Sequence, residues 1–146
     1  MNICLLAQYY KPETGAAPNR LFEMMDGLKK CGNNVCVVTA MPNYPTGRIF
    51  DAYKGKVTCT EELDGMEIRR YWIYASNSRK AIPRILGMLS FSFTALFSLK
   101  YLKSKQLDYL IVGSPPLTLG VAALHLAKRC NEHTSVMRIR AFWQGA

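Results

Sequence analysis

The chain has 146 residues, 49% of them hydrophobic and 20% charged, which suits one globular domain and argues against disorder. A formal net charge of +9 points to phosphate-bearing partners, anionic lipid or nucleic acid. Five cysteines with no C-x-x-C pair and no neighbouring histidine cluster argue against a zinc site or a disulfide framework and suit reduced thiols in a cytoplasmic setting.

In chain order, residues 3–9 read as an apolar strand leading through the turn Lys11-Pro12-Glu13-Thr14-Gly15-Ala16-Ala17 into an amphipathic helix. With no basic n-region or cleavage site ahead of it, no signal peptide is expected. Leu21, Met25 and Leu28 recur at the i, i+4, i+7 spacing that buries one helix face. Lys29 and Lys30 favour the negative end of the helix dipole, and Gly32 suits a left-handed cap. The nearly continuous apolar run at 34–40 reads as a strand buried on both faces. Strand, helix and strand then make a right-handed βαβ unit. The loop 41–47, Met41-Pro42-Asn43-Tyr44-Pro45-Thr46-Gly47, closes that strand beside the first turn. Ligands of open α/β sheets bind outside the carboxyl ends of the strands, so both loops are candidate site.

Residues 56–62 and 66–74 read as strands joined through Leu63-Asp64-Gly65, a hairpin signal. Residues 82–103 read as one long helix entered at Pro83, with 15 uncharged residues from 85 to 99, short of the roughly 20 that span a bilayer. Gly87, Ser90, Thr94 and Ser98 form a small-residue stripe along it. From 68 to 107 there are eight lysines and arginines and no acid. Phe91, Phe93 and Phe97, with Arg79, Lys80, Arg84, Lys100 and Lys103 at the two ends, therefore make a candidate contact with an anionic membrane surface. A strand at 107–113, a helix opened by Ser114-Pro115-Pro116 and running to Arg129, and a strand at 134–140 complete the pattern. The expected fold is α/β: a single domain over 1–146 with a Rossmann-like, mainly parallel sheet, helices on both faces and an inserted β-hairpin.

Two readings of the first turn stay open. Backbone N–H groups around Gly15, Ala16 and Ala17 at a helix N-terminus suit a diphosphate or a sugar, with Arg20 one turn further in; alternatively the glycine serves only a tight turn. There is no G-x-G-x-x-G, and Thr39-Ala40 ends the second strand where a ribose-binding carboxylate would stand, which disfavours a nicotinamide site. A G-x-x-x-x-G-K-[ST] loop is also absent. Asn43 and Tyr44 read either as sugar-binding residues or as cover for the sheet edge, and Ser114 as a helix cap or a ligand contact. His125 and His133 have no serine or carboxylate partner nearby in sequence, so neither a catalytic triad nor a metal set is expected. Alternation in a strand accounts for the Arg-aromatic run from 69 to 74, and no nucleic-acid partner is expected.

The run Gln8-Tyr9-Tyr10-Lys11-Pro12-Glu13-Thr14-Gly15-Ala16-Ala17-Pro18-Asn19-Arg20, the run Val37-Val38-Thr39-Ala40-Met41-Pro42-Asn43-Tyr44-Pro45-Thr46-Gly47 and the segment Gly113-Ser114-Pro115-Pro116-Leu117 together resemble the amino-terminal domain of family-4 glycosyltransferases. Within that family the likeness is to bacterial O-antigen and capsule enzymes, fucosamine transferases among them. The resemblance implies half of a GT-B enzyme, which retains anomeric configuration and needs no metal and no cofactor beyond its nucleotide-sugar donor, here expected to be UDP-linked. It implies that Thr14, Gly15 and Ala16 bind substrate, with Gly15 and Ala16 approaching the donor diphosphate. Arg20, Asn43, Tyr44 and Ser114 would line the acceptor side. Arg140, also expected to bind substrate, opens a segment that in the family reads Arg-Asp-Leu-Trp-Pro-like; here it is Arg140-Ala141-Phe142-Trp143-Gln144, with alanine at the acidic position. The implied acceptor is a saccharide on a polyprenyl diphosphate, which places the domain in the cytoplasm, peripheral to the inner membrane. The family continues into a carboxyl-terminal donor-binding domain that these 146 residues do not include, so the resemblance implies no sugar transfer by this chain alone. Two other classes fit the composition: a non-catalytic peripheral membrane or polyanion-binding module, and a small flavodoxin-like nucleotide-binding protein.

Overall fold

The apolar runs of the sequence become the middle of a sheet. β1 (Asn2–Ala7) lies between β2 (Asn34–Ala40) and β5 (Tyr109–Ser114), parallel to both. β4 (Met66–Tyr71) extends the sheet beyond β2 and β6 (Ser135–Arg140) beyond β5, again in parallel. β3 (Thr58–Leu63) pairs antiparallel with β4 and forms the edge. The mixed six-stranded order is β3-β4-β2-β1-β5-β6, compatible with a Rossmann-like α/β fold. This computed structural model describes residues 1–44, 46–114, 117–130 and 133–140, without the side chains of Ser114, Leu117, Arg138 and Arg140.

Period-two alternation sends successive side chains of each strand to opposite faces, and each face is covered by helix. α1 (Ala16–Lys30) packs Leu21 and Met25 on Ile3, Leu5, Val37 and Ile68. α2 (Ala81–Ala95), α3 (Leu99–Lys105) and α4 (Leu117–Cys130) cover the other face, over Cys4, Leu6, Cys36, Val38 and Leu110. At Gly113 the backbone of β5 passes so close to β1 that a Cβ would stand 3.1 Å from that of Ala7 and 3.5 Å from Leu21 Cδ1. All five cysteines are free; Cys4 and Cys36 are buried partners across β1 and β2.

Several boundaries differ from the sequence reading. β1 stops at Ala7, releasing Gln8-Tyr9-Tyr10 into the loop. The second hairpin arm ends at Tyr71 rather than 74, and both residues of its turn, Asp64 and Gly65, have positive φ, as a tight two-residue hairpin requires.

The largest difference concerns the expected single helix at 82–103. The helix starts at Ala81, ahead of Pro83, and is broken by a 3-10 turn at Leu96–Ser98 before α3. The Ser92 and Ser98 hydroxyls donate back to carbonyls four and three residues earlier, bonds that compete with the helical ladder and bend it. Together these pieces form a 25-residue run, Ala81–Lys105, long and apolar enough by length and composition to cross a membrane. That corrects the reading of the segment as too short. One flank of the run is nevertheless committed to the fold, since Phe91, Ala95, Tyr101 and Leu102 belong to the core.

Candidate functional site

The sheet reverses its winding between β1 and β5, because β2 and β4 lie on one side of β1 while β5 and β6 lie on the other. Loops leaving adjacent strands at such a reversal diverge to opposite faces and open a crevice at the carboxyl ends. Residues 8–15, 41–44, 46–50 and 72–80 follow β1, β2 and β4 at this edge.

Glu13 ties the first two of these loops together. Its carboxylate is buried and accepts the backbone N–H of Tyr10 at 3.1 Å, of Asn43 at 2.7 Å and of Tyr44 at 3.0 Å. A buried carboxylate is stable only when its lone pairs are so occupied. Burial pushes the Glu13 carboxyl above its usual range, against the opposing pull of the three N–H groups and Arg70.

Arg70 anchors the same edge from β4, with its side chain wholly buried. Nε pairs with Glu61 at 2.6 Å, Nη1 donates to the Ala40 carbonyl at 3.2 Å and Nη2 donates to the Lys11 carbonyl. Tyr53 donates its hydroxyl to the same Glu61 at 2.8 Å, and burial first, then that carboxylate, push its phenol up to about 12. One guanidinium thus joins the end of β2 and the middle of β3 to the first loop. Glu13 and Arg70 were both missed as organisers by sequence reasoning. A signal existed for Arg70: alternation in β4 places it on the inward face of Met66 and Ile68.

Above these anchors lie the rings of Tyr9 and Tyr44, edge to face at 5.9 Å. Gly15, at φ 143°, lets the turn pass beneath Tyr44; a Cβ there would touch Tyr44 Cε1 at 3.5 Å. Gly15 is also the N-cap of α1, whose first turn has no acid and no capping side chain. Thr14, Ala16 and Arg20 are exposed around it. Ser114 and Arg140 pair in register at the carboxyl ends of β5 and β6, while Pro115, Pro116 and the segment 141–146, including the Arg-Ala-Phe-Trp departure, lie outside the described residues. Asn43, expected to line the acceptor side, is buried, with its Nδ2 donating to the Met41 carbonyl at 2.9 Å. It braces the loop from inside.

α2 forms a wall of the crevice. The Tyr74 N–H donates to Ser90 Oγ at 2.9 Å, Thr94 Oγ1 donates to the Trp72 carbonyl at 2.7 Å, and Gly87 lies against the Tyr74 carbonyl. This explains the small-residue stripe, which is where the outgoing chain packs. Ahead of these contacts, residues 81–86 are largely exposed and add about 9 Å of helix at 1.5 Å per residue. The connector leading into α2 stands beside the loop after β2, because at Gly47 any side chain would run into the backbone of Ser76 and Asn77. Burial pushes the Tyr9 phenol above its usual range, against the opposing positive charge of Arg84.

The outer side of α2 carries one apolar stripe at helical spacing: Ile82, Ile85, Leu86, Leu89 and Phe93 are all exposed, and Phe97 continues it at 67% exposure. Phe93 and Phe97 stack edge to face at 5.6 Å. Arg79, Lys80 and Arg84 lie at the crevice end and Lys100 and Lys103 at the far end, all exposed. Phe91 is a second correction. Named with Phe93 and Phe97 as a membrane contact, it is fully buried in the core, because it falls on the flank of α2 that faces the sheet.

Among the described residues no group of His, Cys, Asp and Glu side chains converges to hold a metal ion. No protein-family model matches the sequence, and no curated protein matches it.

Proposed function

We propose that this domain is the acceptor-side half of a retaining GT-B glycosyltransferase. In this reading it receives a saccharide linked to a polyprenyl diphosphate, at the cytoplasmic face of the inner membrane. A sugar, with N-acetylfucosamine the candidate that the resemblance names, comes from a nucleotide sugar held by a second domain outside these 146 residues. The product feeds surface polysaccharide synthesis. The motif likeness of loops 8–20 and 37–47 suggests the class.

The observation that carries the reading is the juxtaposition of the crevice and the exposed side of α2. A lipid-linked diphosphate saccharide has an apolar tail, two phosphates and a polar ring. The exposed stripe from Ile82 to Phe97, the bases Arg79, Lys80 and Arg84, and the loop crevice at Gly15 and Tyr44 present complementary chemistry in that order. Bases at both ends of an apolar stripe favour lying on an anionic bilayer, each base near the surface adding about 1 kcal/mol.

Two measurements test this. Sedimentation with phosphatidylglycerol-containing vesicles is expected to bring down the chain, and Leu86→Ser with Leu89→Ser to release it; neutral vesicles are expected to bind poorly. Amide shifts on adding a GlcNAc diphosphate methyl ester are expected at residues 14–16, 44 and 79–84. Vesicle binding without any crevice shift favours the non-catalytic membrane module, which the α2 stripe alone supports. Tight binding of free UDP with no response to the saccharide favours the nucleotide-binding protein. Sugar transfer by the 146-residue chain alone at an enzyme-like rate sinks the division of labour.

A further inference from the structure

We infer that Tyr9 and Tyr44 form a stacking platform for a pyranose ring, and that Glu13 is the positioning residue that holds this platform in place. The inference rests on the saccharide-acceptor reading and names the part of the crevice that takes the sugar.

The argument starts from what each group does in the fold. Tyr44 is 37% exposed, yet its backbone is held as firmly as a core residue, since its N–H and that of Asn43 both bind one buried Glu13 oxygen. A loop aromatic that only covered a sheet edge would gain by burying its ring, and no such tether would be needed. Tyr9 is fixed by its edge-to-face partner and by Gln8, whose Nε2 donates to the Tyr9 hydroxyl at 3.3 Å. An edge-to-face pair leaves a ring face free of aromatic contact. Gly15 completes the geometry, since a Cβ at that position would already be in contact with the Tyr44 ring and a larger side chain would displace it.

The chemistry suits a sugar. A pyranose offers an apolar C–H face and a rim of hydroxyls, and tyrosine offers an apolar ring with a polar tip. Stacking on a preordered ring adds less ordering cost than closing a mobile loop. Arg84, exposed near the start of α2, offers a cation to a phosphate attached to the sugar. Glu13 touches none of the ligand: both carboxylate oxygens are occupied by backbone N–H groups, so it acts through Tyr44.

The test is a titration of the full chain, followed by amide shifts, with two probes: a GlcNAc diphosphate methyl ester and methyl diphosphate as its sugar-free counterpart. Tyr44→Ala is expected to weaken the saccharide probe about tenfold and to leave methyl diphosphate unchanged, while Tyr44→Trp keeps most of the saccharide affinity. Glu13→Gln retains one oxygen acceptor and loses the other, and is expected to weaken only the saccharide probe. In a Tyr44→Ala background the same substitution is expected to have no further effect, the non-additivity of two residues acting through one contact. Saccharide affinity unchanged in Tyr44→Ala, with the wild type binding in the crevice, overturns the platform and leaves the acceptor reading standing. An additive Glu13→Gln effect overturns its positioning role. Failure of the wild type to bind either probe overturns the acceptor reading and the platform with it. If Glu13→Gln loses its dispersed amide spectrum, the Tyr44→Ala and Tyr44→Trp pair decides the platform alone.

Discussion

At the scale of the residue, the two charges that matter most are buried. Glu13 closes three backbone N–H groups from two loops, and removing an acceptor from a buried donor costs roughly 1–3 kcal/mol for each group left unpaired. Glu13→Ala is therefore expected to lower the unfolding free energy by about 3 kcal/mol, read from the urea midpoint at constant slope. The pH dependence has a definite sign. Burial raises the folded-state carboxyl above 4.5, so the wild-type advantage is fully present below that pH and shrinks as pH rises through the folded value. An advantage that instead grows between pH 4.5 and 7 contradicts burial as the dominant effect. Glu13 was not legible as an organiser in the sequence, and Arg70 only through its place on the Met66 and Ile68 face of β4. A glutamate in a Pro-Glu-Thr-Gly turn and an arginine in a polar-looking strand resemble ordinary surface residues, and their partners lie 30 and 59 positions away.

At the scale of the element, α2 shows how an apolar helix divides its circumference. Its composition is apolar almost all round, so periodicity gives no direction for the core face. The chain leaving β4 decides it, by packing Trp72 and Tyr74 on the Ser90–Thr94 flank. The neighbouring flank, with Phe91 and Ala95, then closes on the sheet. Phe91→Ala is expected to cost about 3–5 kcal/mol, as large core truncations do, whereas Phe93→Ser and Phe97→Ser are expected to stay within about 0.5 kcal/mol and to alter only vesicle binding. Comparable losses at all three positions in thermal unfolding count against this division of faces. The loop after β2 makes the same point. Its turn residues were readable, but the bracing of Gly47 against Ser76 and Asn77 needed β4 and its connector in place.

At the scale of the whole molecule, the sheet has a protected middle and two thin edges, β3 and β6. β1 is almost entirely buried and paired on both sides, while β3 is nowhere buried and pairs on one side only. Native-state hydrogen exchange is expected to be slowest in β1, β2 and β5 and fastest in β3 and in the exposed first turns of α2, following local burial. Protection in β3 equal to that in β1 is inconsistent with this order. The +9 charge belongs to this scale too. Its share on α2 and α3 lies at both ends of one exposed stripe, so it orients a surface rather than only setting solubility.

The sequence by itself determined the α/β class and the succession of strands and helices. Hydrophobic period and turn residues are local properties, and they survive translation into structure with boundary shifts of a few residues. It also marked the loops at Gly15 and Tyr44, because strand ends in such sheets fall at one edge by topology. Only the tertiary structure decided which flank of α2 is buried, that the connector into α2 stands beside the loop after β2, and that Glu13 and Arg70 are core charges. Each of these depends on groups distant in sequence meeting in a low-dielectric interior, where a charge must find its partners or the fold does not form.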